Sequence, residues 1–176
     1  MKRIILLLFI FSEIVVFGQD IVKSRSFLDY QRKCNFDFII PEGFKEIKVI
    51  KAKDLKYDLN LINEKDGYCI RYSFFDGELS SDYIYKSCIR LNLMNFTKMD
   101  STAKIYVYKE LDSALIKSTN ATEAGFTKFD IKSKDGKGYK WCTMFFIHKH
   151  NIANLYITML YNDSIEETYN SNFIKV

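Results

Sequence analysis

Two apolar runs in the second half of the chain predict a β-hairpin. Residues 139–147 and 152–161 are rich in aromatic and β-branched residues, contain no proline, and flank a short polar turn at 148–151. In the first run, Trp141 and every second residue after it lie on one face, and Cys142 and every second residue after it lie on the other. Both faces are mostly apolar. Since a strand that is apolar on both faces needs cover on both, we expect this hairpin at the centre of a sheet, between helices or loops.

Further strands are predicted from shorter patterns. Segments of strand character lie at 35–40, 44–50, 57–62, 68–75 and 126–131. Pro41 and Gly43 mark a turn between the first two, and a turn at 63–67 joins the next two as a second hairpin. In the segment 57–62, Asp58 and Asn60 alternate with apolar residues, which predicts a half-exposed strand.

Helical spacing of apolar residues occurs between and after the hairpins. It predicts amphipathic helices at 82–95 and 102–117, although Val107 and the tyrosine and isoleucine content leave a strand interpretation open for the second. Asp163 begins a capping-box-like start to a last helix. Residues 19–33 are a polar lead-in, either loosely ordered or a short helix. We therefore predict a single α+β domain over residues 34–176.

The first 18 residues have the pattern of a secretory signal peptide. Lys2 and Arg3 precede an apolar stretch at 4–17, and Gly18 provides a small residue for cleavage. A membrane anchor is the weaker interpretation, because the stretch carries Glu13 and is shorter than the roughly 20 apolar residues that span a bilayer. We expect a periplasmic or secreted protein with no stable membrane insertion after cleavage.

Charge and cysteine content limit the function classes. The formal net charge is +4, and lysines are scattered among acids rather than clustered, which argues against nucleic-acid binding. Cys34, Cys69, Cys88 and Cys142 permit two disulfides in an exported protein. Cys69 and Cys142 both lie in predicted strands and form the candidate bridge, with buried free thiols as the alternative.

No catalytic or cofactor motif is present in the sequence. The patterns GxSxG, GxxxxGK[ST], GxGxxG and CxxC are all missing. In an extended chain, His148 and His150 would point to the same side, which is an arrangement that could place both on one metal ion. Because no third ligand is evident and Lys149 lies between them, we interpret both histidines as solvated turn residues. Arg71 interrupts an apolar strand. It is interpreted as a charge that lies at the sheet rim or pairs with an acid, and the alternative is that it binds an anion. We therefore predict no catalytic residue, metal site or cofactor.

The order of elements resembles a known group of folds. An early strand ends in the sequence IPEGF at residues 40–44, and a hairpin, helical segments, an apolar hairpin and a final helix follow. This resembles the Mog1/PsbP-like group. Residues 136–163, GKGYKWCTMFFIHKHNIANLYITMLYND, are similar to uncharacterised exported proteins from Bacteroidetes with a GKGYKYC-like start and an IHK-x-N turn. The resemblance implies an α/β/α sandwich with a largely antiparallel central sheet and a binding or assembly role, and it implies no catalytic residue.

We interpret the chain as an exported, non-enzymatic binding or assembly module with a protein partner in the cell envelope or outside the cell. The candidate interaction surface comprises His148, Lys149, His150, Asn151 and Arg71, together with aromatic residues of the sheet such as Tyr72 and Phe74. Two alternatives stay open. One is a small hydrolase or ligand-binding enzyme whose site joins His148 or His150 with Arg71 and an acid. The other is an inhibitor or immunity-type protein.

Overall fold

The structure is a computed structural model that describes residues 22–34, 38–49, 56–76, 81–97, 109–118, 120–132 and 134–162. Along the chain its elements are α1 (Arg25–Cys34), β1 (Lys45–Ile47), β2 (Leu59–Asn63), β3 (Tyr68–Asp76), α2 (Asp82–Thr97), β4 (Lys109–Glu110), α3 (Ser113–Ser118), β5 (Glu123–Asp130), a 3₁₀ turn (Lys134–Gly136), β6 (Trp141–Lys149) and β7 (Ala153–Tyr161).

The strands of this described part form one seven-stranded sheet. Its order is β1-β2-β3-β7-β6-β5-β4, and every neighbouring pair is antiparallel. Two meanders, β1–β3 and β4–β7, therefore meet where β3 pairs with β7. The protein is an α+β protein with an antiparallel sheet, as the sequence predicts.

The hairpin of β6 and β7 lies at the centre of the sheet, which confirms the prediction from its two apolar faces. Pairing runs from Trp141 opposite Tyr161 to Lys149 opposite Ala153, and β7 is the middle strand of the sheet. The turn comprises residues 150–152 rather than 148–151, because strand pairing continues through Lys149. His148 is therefore a strand residue.

Both faces of the sheet carry an apolar core. On one face, α1 inserts the fully buried Phe27 among residues that include Tyr72 and Ile157. Burial of a phenylalanine side chain contributes about 2 kcal/mol to the stability of such a core. On the other face, Tyr85 and Phe96 of α2 pack against residues of the sheet such as Met144 and Tyr156. Helix α2 thus packs one face against the sheet, as its helical spacing predicts, although Leu91, one of the apolar residues in that spacing, is 56% exposed.

Several predicted elements differ from the structure. In the segment 102–117, for which the sequence predicts a helix and leaves a strand open, Lys109–Glu110 form the strand β4 at the sheet edge. Only Ser113–Ser118 are helical in its described part. Residues 38–40 are not a strand, although the predicted segment began at 35. The lead-in contains a helix, α1. The predicted signal peptide, its cleavage site and the helix beginning at Asp163 lie outside the described residues.

The strand β2 is buried on both sides, so the prediction of a half-exposed strand is wrong. Asn60 is fully buried and Asp58, just before the strand, is 2% exposed. The buried carboxylate of Asp58 accepts a hydrogen bond from the backbone N–H of Phe74 at 2.8 Å, and Lys56 Nζ lies 3.3 Å from its other oxygen. These contacts offset the cost of removing the charge from water. Among the described helices, none is long and apolar enough to cross a membrane.

Candidate functional site

Asp82, His148 and His150 meet where α2 begins beside the turn between β6 and β7. The carboxylate oxygen Oδ1 of Asp82 accepts hydrogen bonds from His148 Nε2 at 2.7 Å and from His150 Nδ1 at 2.9 Å. One ligand atom from each residue lies within 4.8 Å of the others, which is close enough for one cation to contact all three. The chain has only these two histidines, so both are in the cluster.

His148 is buried in the face of the sheet that α2 covers. It continues the row of Cys142, Met144 and Phe146 along β6, and its side chain is 1% exposed. Its ring stacks on the ring of Tyr85, with centroids 4.4 Å apart and planes inclined by 15°. Nδ1 lies 2.6 Å from Asn154 Oδ1, in the residue directly opposite on β7. These contacts fix the ring and direct Nε2 towards Asp82.

Asp82 and His150 form the accessible part of the cluster. Their side chains are 63% and 53% exposed, and Asp82 is the first residue of α2. The hydrogen bond from His150, followed by that from His148, lowers the pKa of Asp82 below its ordinary value of 3.8. The charged form of the carboxylate is therefore favoured, and it accepts both hydrogen bonds.

The backbone around the two histidines is tied to the segment before β5. The backbone N–H of Thr122 donates to the carbonyl of His148 at 2.8 Å, and the backbone N–H of His150 donates to Thr122 Oγ1 at 3.1 Å. Asn151, in the turn itself, has φ of 54°, a left-handed conformation that asparagine tolerates better than most residues. The turn therefore has a defined backbone on the two sides of His150.

The structure separates Lys149 from the histidines. Side chains alternate along β6, so Lys149 points to the face opposite that of His148. There its charge acts on the thiol of Cys34 in α1 and opposes the effect of burial, which raises the pKa of that thiol. Lys149 therefore does not project between the side chains of the two histidines. The interpretation of His148 as a solvated turn residue is wrong, whereas His150 is exposed.

Arg71 does not lie at the sheet rim or in the histidine cluster. It is 1% exposed in β3, next to the middle strand, and lies opposite Thr158 of β7. Thr158 is four residues along β7 from Asn154. That offset corresponds to about 13 Å along the strand. Its guanidinium carbon lies 5.2 Å from the centre of the Tyr57 ring, a cation–π contact in the core. Of the residues named in the alternative enzyme hypothesis, an acid and both histidines therefore come together, whereas Arg71 lies apart from them.

All four cysteines are free thiols, so the structure does not contain the candidate bridge between Cys69 and Cys142. Both residues lie directly opposite Leu160, one on each side of β7. Next-but-one strands are about 9.5 Å apart, whereas the α-carbons of a disulfide are at most about 7 Å apart. The middle strand excludes the bridge.

The aromatic residues predicted to be exposed are buried, and other apolar residues take their place. Tyr72 and Phe74 are 1% and 2% exposed and belong to the core on the α1 face. By contrast, Tyr83 follows Asp82 in α2 and is 82% exposed, and Ile152 in the turn is 42% exposed. The exposed apolar surface beside the cluster therefore comes from Tyr83 and Ile152.

Comparison with protein-family models and with curated proteins found no match to this chain. The resemblance to the Mog1/PsbP-like group therefore stays a prediction from the residues that suggested it.

Proposed function

We propose that this protein is an exported, non-enzymatic binding module whose partner is a protein of the cell envelope or of the extracellular space. Its binding surface, here called the turn face, consists of Asp82, Tyr83, His150, Asn151 and Ile152. All five are exposed. The observation that carries the proposal is the shared contact of Asp82 with both histidines, because it holds the start of α2 against the β6–β7 turn.

The chemistry of the turn face suits a protein interface. Tyrosine is enriched at such interfaces, where its ring gives a large contact area at a low cost in conformational entropy, and Tyr83 is 82% exposed. Ile152 adds apolar area, while Asp82, His150 and Asn151 provide polar contacts around it. Since the buried His148 fixes the underlying backbone through Asn154 and Asp82, little ordering is required when a partner binds.

The proposal includes two finer statements. The first is export, for which the basic start and apolar stretch at residues 2–17 are the support. The second is an α/β/α sandwich, supported by the packing of α1 against one face of the sheet and α2 against the other. An inhibitor or immunity-type protein would be one form of this module, with one tightly bound partner.

Site-specific photo-crosslinking in the native host tests the proposal. A photo-crosslinking amino acid replaces Tyr83 or Ile152, and a control carries it at Lys65, which is exposed in the turn between β2 and β3 at the opposite end of the sheet. We expect a discrete cross-linked product in the envelope or medium from the first two positions only. The substitution Asp82→Asn should weaken that product.

Three outcomes would contradict the proposal. The first is an absence of cross-links from the turn face, and the second is equal cross-linking from Lys65. The third is retention of the protein in the cytoplasm with an uncleaved N-terminal segment, which would remove the premise of export.

A further inference from the structure

The cluster of Asp82, His148 and His150 has the composition and geometry of a metal site. Two imidazoles and a carboxylate form a donor set that transition-metal ions prefer, whereas Ca²⁺ and Mg²⁺ are bound almost entirely by oxygen. The ligands come from two separate elements, α2 and the end of β6 with its turn. We propose that these three residues bind one divalent transition-metal ion of the zinc and copper class.

The distances suit this occupant after small movements. In a four-coordinate zinc site with bonds near 2.0–2.1 Å, ligand atoms lie about 3.3 Å apart. Asp82 Oδ1 is now 2.7 Å from His148 Nε2 and 2.9 Å from His150 Nδ1. An ion would replace the protons between these atoms and move them apart by about half an ångström. Asp82 and His150 are exposed and free to adjust, while His148 provides a fixed ligand.

Asn154 orients the fixed ligand in the way that metal sites require. A histidine that binds a metal through one nitrogen usually donates the N–H of its other nitrogen to an oxygen atom, which fixes the tautomer and the ring. Here Nδ1 of His148 is 2.6 Å from Asn154 Oδ1 and donates its N–H to the amide, so Nε2 can bind the ion once the ion displaces the proton that Nε2 shares with Asp82. Asn154 is fully buried, and Tyr85 stacks on the ring. The ligand is therefore positioned before an ion arrives.

The charges around the cluster favour a cation. Asp82 supplies an acidic side chain to the cluster, and Lys149 points to the other face of the sheet. Glu123 on β5 lies opposite His148 and projects from the same side of the sheet. Three protein ligands leave a fourth position for water or for a donor atom of a partner. The inference thus extends the proposed function by adding a metal ion to the turn face. It rests on the proposed function only in taking the turn face as the binding surface.

Zinc binding by the untagged mature protein tests the inference without a partner. Titration with Zn²⁺ alone, followed by calorimetry, should show one ion per chain, and Ca²⁺ should not bind. Because the chain has only two histidines, nuclear magnetic resonance of the imidazole nitrogens should show both rings shifting with Zn²⁺. Co²⁺ should give the visible absorption of a four-coordinate nitrogen and oxygen site.

Exposed ligands allow variants that keep the fold. His150→Ala and Asp82→Asn should each weaken Zn²⁺ binding by at least about tenfold. The control Asp130→Asn, an exposed acid on β5, should leave it unchanged. Alkylation of the partly exposed thiols of Cys34 and Cys88 should also leave it unchanged.

Failure of wild-type protein to bind Zn²⁺ at micromolar concentration would overturn the inference. Equal affinity of His150→Ala, or loss of binding only after thiol alkylation, would do the same by assigning the ion to another site. If Zn²⁺ does not bind while Tyr83 still cross-links a partner, the metal site is excluded and the binding module stands. Binding of Zn²⁺ without cross-links supports the metal site and contradicts the protein partner.

Discussion

His148 and Asn154 lie directly opposite each other on β6 and β7, with 2.6 Å between the imidazole Nδ1 and the amide oxygen. Both side chains are buried, so their polar atoms depend on each other rather than on water. The pair connects the core of the sheet to the exposed Asp82 through the second ring nitrogen. The stability of the sheet and the geometry of the turn face are therefore coupled at this position.

Asn154→Leu should destabilise the protein, because it leaves Nδ1 of the buried His148 without its amide partner. An unsatisfied buried polar group costs about 1–3 kcal/mol. We expect urea unfolding to show a loss in this range and the imidazole resonances of His148 to change.

A matched asparagine tests whether the effect is specific to this pair. Asn92 is only partly buried, and its side chain donates to the carbonyl of Cys88 within α2. Asn92→Leu should therefore change the free energy of unfolding by no more than about 0.5 kcal/mol. If Asn154→Leu were as stable as wild type, the contact between His148 and Asn154 would not be energetically significant.

The contribution of Asp82 to stability should depend on pH in the acid range. Because hydrogen bonds from His150 and His148 lower its pKa below the ordinary value of 3.8, the charged carboxylate is favoured in the folded state. This stabilisation is complete above the pKa of the unfolded chain, about 4, and is lost as the pH falls through the lower pKa of the folded state.

The expected result is a difference between wild type and Asp82→Asn that shrinks on acidification. Free energies of unfolding, measured in urea at a series of pH values, should differ most at neutral pH and converge below about pH 4. A difference that stays constant down to the most acidic condition would show that the charge of Asp82 does not stabilise the fold.

The centre of the fold was predictable because few arrangements satisfy its sequence. The strand containing Met144 and Phe145 is apolar on both faces, and only a covered central position removes both faces from water. For Asp58 and Asn60 the prediction was wrong, because their polar side chains suggested exposure to water whereas both are buried. Their burial depends on hydrogen-bond partners that are distant in sequence, such as the backbone N–H of Phe74, which is 16 residues from Asp58. The alternation of polar and apolar residues carries no information about such partners.

Only the part of the candidate site that depends on residues close in sequence could be predicted. The spacing of His148 and His150 correctly placed both side chains on one side of the chain. The third member, Asp82, lies 66 residues before His148, and no local spacing connects an acid at a helix start with a distant hairpin. The alternation of side chains that places both histidines on one side also places Lys149 on the other face. This could have been predicted from the sequence if residues 148 and 149 had been assigned to the strand rather than to a turn at 148–151.

Two buried tyrosines should respond in opposite ways to the loss of their hydroxyl groups. Among the described residues, none offers a hydrogen-bond partner to the hydroxyl of Tyr72, whose pKa is raised by burial. Tyr72→Phe should therefore leave stability unchanged or raise it by about 1 kcal/mol. The hydroxyl of Tyr161 lies 3.0 Å from Thr143 Oγ1, so Tyr161→Phe should cost about 1 kcal/mol. Equal destabilisation of both variants in thermal or urea unfolding would contradict this distinction.

The sheet topology keeps Cys69 and Cys142 too far apart to form a disulfide with each other. Each lies beside Leu160 on an opposite side of β7, and burial raises the pKa of both thiols, that of Cys142 well above its ordinary value of 9.0. Because the thiolate is the reactive form, we expect both to resist alkylation in the folded protein and to react after unfolding. The partly exposed Cys34 and Cys88 should react first and serve as the internal control. After treatment of the folded protein with an oxidant, mass spectrometry of its peptides should detect no Cys69–Cys142 link. Detection of that link would mean that β7 does not lie between these strands.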